Sequence, residues 1–363
     1  MRLALGYVPL LDAAPLIVAV EGGFTAAEGL AADLVREPSW ATLRDKLALG
    51  HLDGAHMLAP LALASALGIS GPETDLAIPL GLSLNGNAVT VSRALWAAMA
   101  AESREIESQE VESQEVEAQE IDGAHRDSVD LDTVARAFAR VALARAGEGR
   151  PLTLGTVHPF SSHTYQLRLF AARGGLDLDA ATRMVVIPPP WIAEALRTGQ
   201  IDGFCAGSPW NSVAVAQGYG RIAAFGCDLA PDCPEKVLAL PGYAAAGSPP
   251  LVRAVRRAGR WCADPENQRE LASLLAQPRH LGIDPALIGR ALAGAVVVDP
   301  EGTERSAPRF VVFGAEAERP APAQADWLLA RMGEADQIVP TPALAERARA
   351  LYRPDLFEAA LVT

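Results

Sequence analysis

The segment from Ile201 to Asn211 is the part of the chain best suited to contact a ligand closely. A strand-like apolar run in it ends in glycine, proline, tryptophan and asparagine. Glycine lets the backbone approach another group, and proline and asparagine favour a turn. This composition predicts a buried strand that ends where the backbone can contact a ligand closely and then turns.

Catalytic and metal-binding patterns are not visible in the sequence. The histidines are scattered, and no serine or cysteine stands with a base in a recognisable arrangement. Cys205 lies between Phe204 and Ala206 on a predicted buried strand, which favours an inert thiol. No Asp/Glu cluster has calcium-loop spacing. We therefore predict no enzymatic activity, no metal and no cofactor.

Cysteine use and the N-terminus bear on the compartment. Cys227 and Cys233 could pair in an oxidising compartment, but free thiols in a reducing cytosol are the preferred interpretation. Met1–Leu10 reads directly as a first strand and a loop, with no signal-peptide pattern before it. These features predict a cytoplasmic protein, or a periplasmic one if a signal peptide was removed.

The composition of the chain argues against two kinds of partner, nucleic acids and lipid bilayers. The 363 residues are enough for about two domains, and half of them are hydrophobic, as in globular proteins. The formal charge is −13, and residues 101–130 carry −9 of it. A basic nucleic-acid surface is therefore not expected. No apolar run approaches the roughly 20 residues that span a bilayer, so no membrane insertion is expected.

The order of elements predicts an α/β fold. Strands alternate with helices over the first 81 residues, which indicates a mostly parallel sheet with helices on both faces. Gly86–Val91 is predicted to cross into a second unit, and the chain is predicted to return to the first unit after Trp210.

An acidic repeat of period five occupies residues 106–121. Five matches neither a helical stripe nor a strand alternation, so its apolar positions would spiral around a helix. The repeated like charges favour a mobile insertion at about 101–130. A tolerated surface expansion is preferred over a docking role.

Several segments resemble one known family. Ile201–Asn211 resembles the signature IDGFCVGEPWN of the nitrate- and bicarbonate-binding solute receptors, the NrtA/CmpA family. Trp40–Gly50, Asp53–Pro60, Leu84–Ser92 and Pro234–Leu238 resemble further motifs of that family, in the same order. The resemblance implies a type II periplasmic-binding-protein fold, in which two α/β lobes joined by a hinge hold the ligand in a cleft. Lobe 1 would comprise residues 1–86 and 211–363, with a C-terminal helical extension, and lobe 2 residues 87–210.

The resemblance also implies a ligand set. The family's tryptophan, amide, histidine and lysine correspond to Trp40, Asn87, His163 and Lys236, with Asn87 one methylene shorter than the family's glutamine. Gly86 would let the backbone approach the ion. Three further residues are expected near the cleft behind these: His56, Pro209 and Trp210.

This set suits nitrate, a planar monoanion that has three acceptor oxygens and no donor. Lys236 supplies a charge and N–H donors, and the other side chains can each donate a hydrogen bond. Each residue alone also has an ordinary interpretation: Trp40 as a core aromatic, His163 as a helix cap, Lys236 as a surface lysine and Asn87 as a turn residue. His158 is a second candidate for the histidine position.

Two functional hypotheses follow from the resemblance. The first is a cytoplasmic nitrate/nitrite sensor similar to the NasS proteins, which would release a NasT-type RNA-binding antiterminator when the anion binds. The second is the solute-binding component of an ABC importer for nitrate, bicarbonate or a related anion. The sequence does not separate nitrate from nitrite, and bicarbonate would need an acceptor for its O–H that the sequence does not reveal.

Overall fold

In the computed structural model, which describes residues 2–114 and 130–362, strands alternate with helices along most of the chain. The strands are β1 (Arg2–Tyr7), β2 (Ala31–Arg36), β3 (Gly54–Leu58), β4 (Leu76–Asn85), β5 (Asn87–Ser92), β6 (Leu152–Thr156), β7 (Thr182–Val186), β8 (Gly203–Gly207), β9 (Gly220–Phe225), β10 (Pro234–Pro241), β11 (Ala295–Val297), β12 (Glu304–Ser306) and β13 (Val311–Val312). The helices are α1 (Ala14–Glu21), α2 (Phe24–Ala27), α3 (Trp40–Ala48), α4 (Ala59–Ala66), α5 (Arg93–Gln114), α6 (Leu131–Gly147), α7 (Ser162–Arg173), α8 (Leu178–Ala181), α9 (Pro189–Arg197), α10 (Trp210–Ala216), α11 (Gly226–Leu229), α12 (Pro249–Ala263), α13 (Gln268–Leu275), α14 (Pro285–Ala293), α15 (Pro322–Glu334), α16 (Pro342–Leu351) and α17 (Pro354–Ala359). Within the described ranges, no helix is both long enough and apolar enough to span a bilayer.

A six-stranded sheet in the order β13-β4-β10-β3-β1-β2 organises the first lobe. β1 runs parallel to β2 and β3, and the connections between these strands carry helices, as a parallel pairing requires. β10 enters from the distant part of the chain and lies antiparallel between β3 and β4. A 3-10 turn at Leu11–Ala13 follows β1.

A five-stranded sheet in the order β7-β6-β8-β5-β9 organises the second lobe. β6 pairs in parallel with β7 and β8, and β5 pairs antiparallel with β8 and β9. The pairing of β9 with Ala88–Ser92 keeps the chain in this sheet until Phe225. The predicted return to the first lobe after Trp210 is therefore placed too early, because residues 211–225 add a helix and an edge strand to the second lobe.

The chain crosses between the sheets twice, and the two crossings are bonded to each other. Asn85 ends β4 with a φ of 60°, and Gly86 follows with a φ of 99°, a conformation that glycine adopts most easily. The Asn85 side-chain oxygen accepts a hydrogen bond from the Cys233 backbone N–H at 2.9 Å, and the backbone N–H of Asn85 donates to the Cys233 carbonyl at 3.0 Å. Cys233 lies just before β10, so Asn85 links the outgoing and returning segments of the hinge.

The first part of the predicted acidic insertion is helical. α5 runs without a break from Arg93 to Gln114, and Leu95, Met99 and Ile106 are buried in the core of the second lobe. These apolar residues precede most of the repeat and lie on one face of the helix. Their burial anchors the helix against the core, and the same helix continues into residues 101–114. The prediction of a mobile insertion is therefore wrong for 101–114, and residues 115–129 lie outside the described residues.

The two lobes are in direct contact. The Trp210 indole donates to the Pro9 carbonyl at 3.1 Å, and the Leu11 amide donates to the Ser208 carbonyl at 2.8 Å. From the C-terminal helices, which pack on the first lobe, Gln337 reaches across to α7, where it accepts from the Tyr165 hydroxyl at 2.8 Å. These bonds hold the molecule in a closed arrangement.

Candidate functional site

Eight polar or aromatic side chains from both lobes converge where the lobes meet. They are Asp12 in the 3-10 turn after β1, Trp40 at the start of α3, His56 in β3, Asn87 in β5, Ser162 and His163 in the first turn of α7, and Glu235 and Lys236 in β10. We call this set the central cluster. Every member is at most 2% exposed, so the cluster is sealed from solvent.

A bulge in β10 explains how two consecutive residues both reach the cluster. Successive side chains of a regular strand point to opposite faces of the sheet. From Pro234 to Lys236 the strand advances two residues while β4 advances only one, from Leu84 to Ser83. The extra residue is Glu235, and a bulge of this kind redirects neighbouring side chains. As a result, the Lys236 ammonium and a Glu235 carboxylate oxygen lie 2.5 Å apart.

Lys236 is the buried cation of the cluster. Its Nζ lies 2.7 Å from Asp12 Oδ2 and 2.5 Å from Glu235 Oε1, and 5.4 Å from the centroid of the Trp40 ring. Burial by itself lowers the pKa of a lysine, but the two carboxylates more than offset this, and the pKa of Lys236 is raised. The ammonium therefore stays charged.

Lysine is rare in this chain, which makes its buried position informative. Of the 31 Lys and Arg residues, two are lysines, Lys46 and Lys236. Lys46 pairs with Glu37 and its side chain is 42% exposed, whereas the Lys236 side chain is fully buried. One of the two lysines thus lies at the centre of a chain whose other cations, apart from Lys46, are arginines.

Asp12 and His56 form a second buried pair beside the lysine. His56 Nε2 lies 2.8 Å from Asp12 Oδ1, and the His56 ring packs against Trp40 with centroids 5.3 Å apart. Burial tends to raise the pKa of Asp12, but Lys236 and His56 together lower it to about 2. Burial lowers the pKa of His56, and Asp12 offsets part of that effect. Asp12 is thus ionised, and His56 orients it towards the lysine.

Glu235 completes the cluster with a second carboxylate. Its Oε2 accepts hydrogen bonds from Asn87 Nδ2 at 2.8 Å and from the Ser162 hydroxyl, while its Oε1 lies 3.7 Å from His163 Nε2. Burial raises the pKa of Glu235, and Lys236 and Ser162 reverse only part of that rise. The glutamate is therefore the acid of the cluster that is easiest to protonate.

Two donors of the cluster have no hydrogen-bond partner among the described residues. They are the Trp40 indole N–H and the imidazole of His163, on which both ring nitrogens are unpaired. Burial and the nearby Lys236 hold the pKa of His163 well below its usual value, so the ring is neutral and carries one N–H. A buried donor without a partner costs about 1–3 kcal/mol, which identifies both groups as candidate ligand contacts.

The structure brings four of the predicted ligand residues together: Trp40, Asn87, His163 and Lys236. It excludes three of their alternative interpretations. Asn87 lies within β5, Lys236 is buried, and α7 is capped by Ser161, whose hydroxyl accepts from the Thr164 amide at 3.2 Å. That these four residues hold a ligand, and that they form the complete ligand set, stays a prediction.

The remaining predicted residues lie around the cluster. Gly86 is in the hinge, where its carbonyl accepts from the Ser208 amide at 2.8 Å, and Pro209 and Trp210 start α10 at the lobe junction. His56 belongs to the central cluster itself, through its contacts with Trp40 and Asp12. His158 has a local role, because its ring accepts from the Phe160 amide at 3.1 Å.

The cysteines are all free thiols, so Cys227 and Cys233 do not pair. Cys205 and Cys233 are near the cluster, and burial followed by the charge of Glu235 raises the pKa of each thiol well above its usual value. Neither is suited to act as a thiolate nucleophile. In the parts of the chain that the structure describes, no three His, Cys, Asp or Glu side chains are arranged to hold a metal ion.

Comparison with known proteins gives a consistent set of relatives. The model of the NMT1-like family matches residues 1–276. The chain is 31% identical to the nitrate import ATP-binding protein NrtC of Synechocystis, over 98% of this chain and 49% of that protein. It is 32% identical to the bicarbonate transport ATP-binding protein CmpC of the same organism, over 92% of this chain and 45% of that protein. The chain thus spans about half the length of these two relatives.

Binding proteins appear among the relatives as well. The nitrate/nitrite binding protein NrtA of Synechococcus elongatus is 29% identical over 98% of this chain and 76% of that protein. The crystal structure of the periplasmic nitrate-binding protein NrtA from Synechocystis superposes with a TM-score of 0.85 at 22% identity, covering 99% of this chain and 88% of that one. The predicted type II periplasmic-binding-protein fold is confirmed by this match.

The same fold also occurs in an enzyme. The desulfurization enzyme DSZB superposes with a TM-score of 0.53 at 16% identity, over 99% of both chains. The fold alone therefore does not separate a receptor from a catalyst, and the distinction depends on the chemistry of the central cluster.

Proposed function

The chain belongs to the NMT1-like family, and we propose that it binds a small planar oxyanion, of the nitrate or bicarbonate class, in the central cluster between its lobes. The observation that carries the proposal is the buried ammonium of Lys236, with the unpaired donors of Trp40 and His163 in the same cluster. An ammonium and neutral N–H donors are the groups that a planar anion needs.

The energies are sufficient for useful affinity. A charge-assisted hydrogen bond contributes about 1.5–3 kcal/mol and a neutral one about 0.5–1.5 kcal/mol. One bond of the first kind, from Lys236, and three of the second, from Trp40, Asn87 and His163, sum to about 3–7.5 kcal/mol. The top of this range corresponds to a Kd of a few micromolar. The sealed cluster means that the lobes must open for the ligand to reach it.

A role in import is the better-supported context for this binding. The relatives are named for nitrate or bicarbonate import and for nitrate/nitrite binding. Nucleotide binding is not part of the proposal, because neither lysine stands in a G-x-x-x-x-G-K-[ST] motif in the printed sequence. The sensor role with a NasT-type antiterminator, and the cytoplasmic location, stay predictions that rest on the sequence resemblance.

A binding function is also preferred over catalysis. The thiols near the cluster have raised pKa values, and the hydroxyl of Ser162 is already bonded to Glu235. A serine nucleophile needs a base that takes its proton and a path to the substrate. The relatives named above include binding proteins, which agrees with this preference.

Titration calorimetry with sodium nitrate, nitrite, bicarbonate and ethanesulfonate at pH 7 tests the proposal. At least one planar oxyanion should bind with a micromolar Kd, and the sulfonate, with its tetrahedral head and alkyl tail, should bind at least tenfold more weakly. If none of the three planar anions binds, the proposal is wrong. Adding a NasT-type protein with and without the ligand would test the sensor hypothesis separately.

A further inference from the structure

Glu235 accepts hydrogen bonds from the side chains that are proposed to hold the ligand. Lys236 Nζ lies 2.5 Å from one of its oxygens, and Asn87 Nδ2 donates to the other at 2.8 Å. The Ser162 hydroxyl also donates to that second oxygen. In the sealed cluster, the glutamate therefore takes up donors of Lys236 and Asn87 that an oxyanion would use, and it leaves those of Trp40 and His163 unpaired.

A carboxylate resembles a planar oxyanion in the way it uses donors. Both carry their oxygens on a flat, delocalised centre with one negative charge, and both accept N–H and O–H bonds in that plane. The Lys236 ammonium has three N–H donors, two of which face Asp12 and Glu235, and one N–H of the Asn87 amide goes to Glu235. A ligand that takes the N–H bonds now made to Glu235 must displace its carboxylate.

The charges of the cluster make that displacement unfavourable by itself. Asp12 and Glu235 carry two negative charges against the single positive charge of Lys236. An added monoanion would leave three negative charges against one positive charge in a site that water does not reach. Buried like charges at close range cannot all stay ionised, and one group takes a proton instead.

We propose that Glu235 is a built-in competitor of the ligand, and that an oxyanion binds together with one proton, which passes from solvent to the displaced Glu235 carboxylate. The proposal rests on the proposed function and names a second ligand of the same site, the proton. The new O–H can then donate a hydrogen bond to the bound anion, so the competitor becomes a contact.

The other ionisable groups that face Glu235 keep their charge states. Lys236 on its own strand remains protonated, and Asp12 from the turn after β1 remains ionised, with a pKa of about 2. On α7, the pKa of His163 is held well below its usual value, so its ring remains neutral. Cys205 on β8 and Cys233 before β10 remain thiols because burial raises their pKa values. The proton therefore goes to Glu235, whose own pKa is raised by burial.

The sign of the pH dependence follows from this assignment. An anion bound next to Glu235 raises the pKa of its carboxyl further, so binding takes up a proton. Affinity is greatest below the pKa of Glu235 in the free protein, which lies above 4.5, and it falls as pH rises through that value. For one proton the limit is a tenfold loss of affinity per pH unit.

Nitrate is the probe for the test, because it does not titrate in the useful range. Its Kd is measured from pH 5.5 to 8.5 for the wild type, for Glu235→Gln and for Glu37→Gln. Glu37 is the matched control, since it is a buried glutamate paired with the chain's other lysine, outside the cluster. The wild type and Glu37→Gln should lose affinity by up to tenfold per pH unit. Glu235→Gln should show a flat profile and bind nitrate at least tenfold more tightly than the wild type at pH 8.

Glu235→Gln leaves Asp12 as the single carboxylate partner of Lys236, so the remaining buried charges cancel. A second measurement needs no variant: wild-type calorimetry at pH 7.5 in HEPES and in Tris, which have different ionisation enthalpies, should show an uptake of about one proton. A flat wild-type profile, no proton uptake, or a Glu235→Gln variant that binds no nitrate at any pH would each overturn the inference. A flat profile with tight binding would leave the proposed function intact.

Discussion

Replacing Lys236 with alanine removes the single cation of the central cluster. Its ammonium lies 2.7 Å from Asp12 and 2.5 Å from Glu235, so the substitution leaves two buried carboxylates without their counter-charge. Breaking a buried ion pair from one side costs about 3–5 kcal/mol of stability. The loss of a charge-assisted bond to the ligand costs about 1.5–3 kcal/mol of binding energy, which corresponds to an affinity about 10- to 150-fold weaker.

Both effects can be measured on the same proteins. Urea unfolding followed by circular dichroism gives the free energy of unfolding, and titration calorimetry gives the Kd for the tightest oxyanion of the panel. Lys46→Ala is the matched control, because that lysine is 42% exposed and, among the described residues, pairs with one carboxylate, Glu37. The control strands one carboxylate, the buried Glu37, so it should lose less stability than Lys236→Ala, which strands two, and it should bind the anion with an unchanged Kd.

A double variant keeps the test decisive if Lys236→Ala does not fold. Adding Asp12→Asn removes one of the stranded charges, so part of the stability should return while the affinity stays low. A Kd for Lys236→Ala within twofold of the wild-type value would refute the assignment of the cluster as the ligand site. An unchanged free energy of unfolding would refute the ion pairing that the structure shows.

Three further substitutions test separate parts of the site. Trp40→Phe keeps an aromatic side chain but removes the unpaired indole N–H, so the Kd should rise about 2- to 10-fold, and an unchanged Kd would contradict the contact. Because Trp40 is fully buried, the smaller ring also leaves a cavity, and the free energy of unfolding should fall. His163→Ala should weaken binding by a similar factor. Because the imidazole is already neutral, the substitution should leave the pH profile of the Kd unaltered. A lost pH dependence would assign the proton to His163 instead of Glu235. Gln337→Ala removes the bonds to the Tyr165 hydroxyl and the Pro159 carbonyl, which join the C-terminal helices to the second lobe. Ligand dissociation in stopped-flow experiments should therefore become about 2- to 10-fold faster. An unchanged rate would show that this link does not stabilise the closed arrangement.

The sequence was sufficient for the fold and for the convergence of four side chains. Trp40, Asn87, His163 and Lys236 come from distant positions in the chain, and the resemblance to the NrtA/CmpA family implied that they would meet. The sequence did not predict their partners. Asp12 and Glu235 were not predicted, because an anion site calls for hydrogen-bond donors and an ionised carboxylate is an acceptor. The signal was available in physical terms, since a buried lysine requires a carboxylate nearby.

Two errors of organisation have local causes. The strand Gly220–Phe225 was missed because the resemblance to a known signature ended at Asn211 and the expected domain boundary was placed there. The helix through residues 101–114 was missed because the five-residue repeat dominated the interpretation. Leu95, Met99 and Ile106 are spaced as a buried helical face, and that spacing starts upstream of the acidic run.

The scarcity of lysine gives this protein a natural reporter of lobe opening. An acylating ester that reacts with amines can modify the half-exposed Lys46 at any time, but it can reach Lys236 only in molecules whose cleft has parted. In a peptide mass spectrum, the ratio of the two acylated sites would then follow the open fraction, with Lys46 as the internal standard. With an anion bound, a lower acylation of Lys236 relative to Lys46 would measure how strongly the ligand protects the cleft, without any engineered dye or tag.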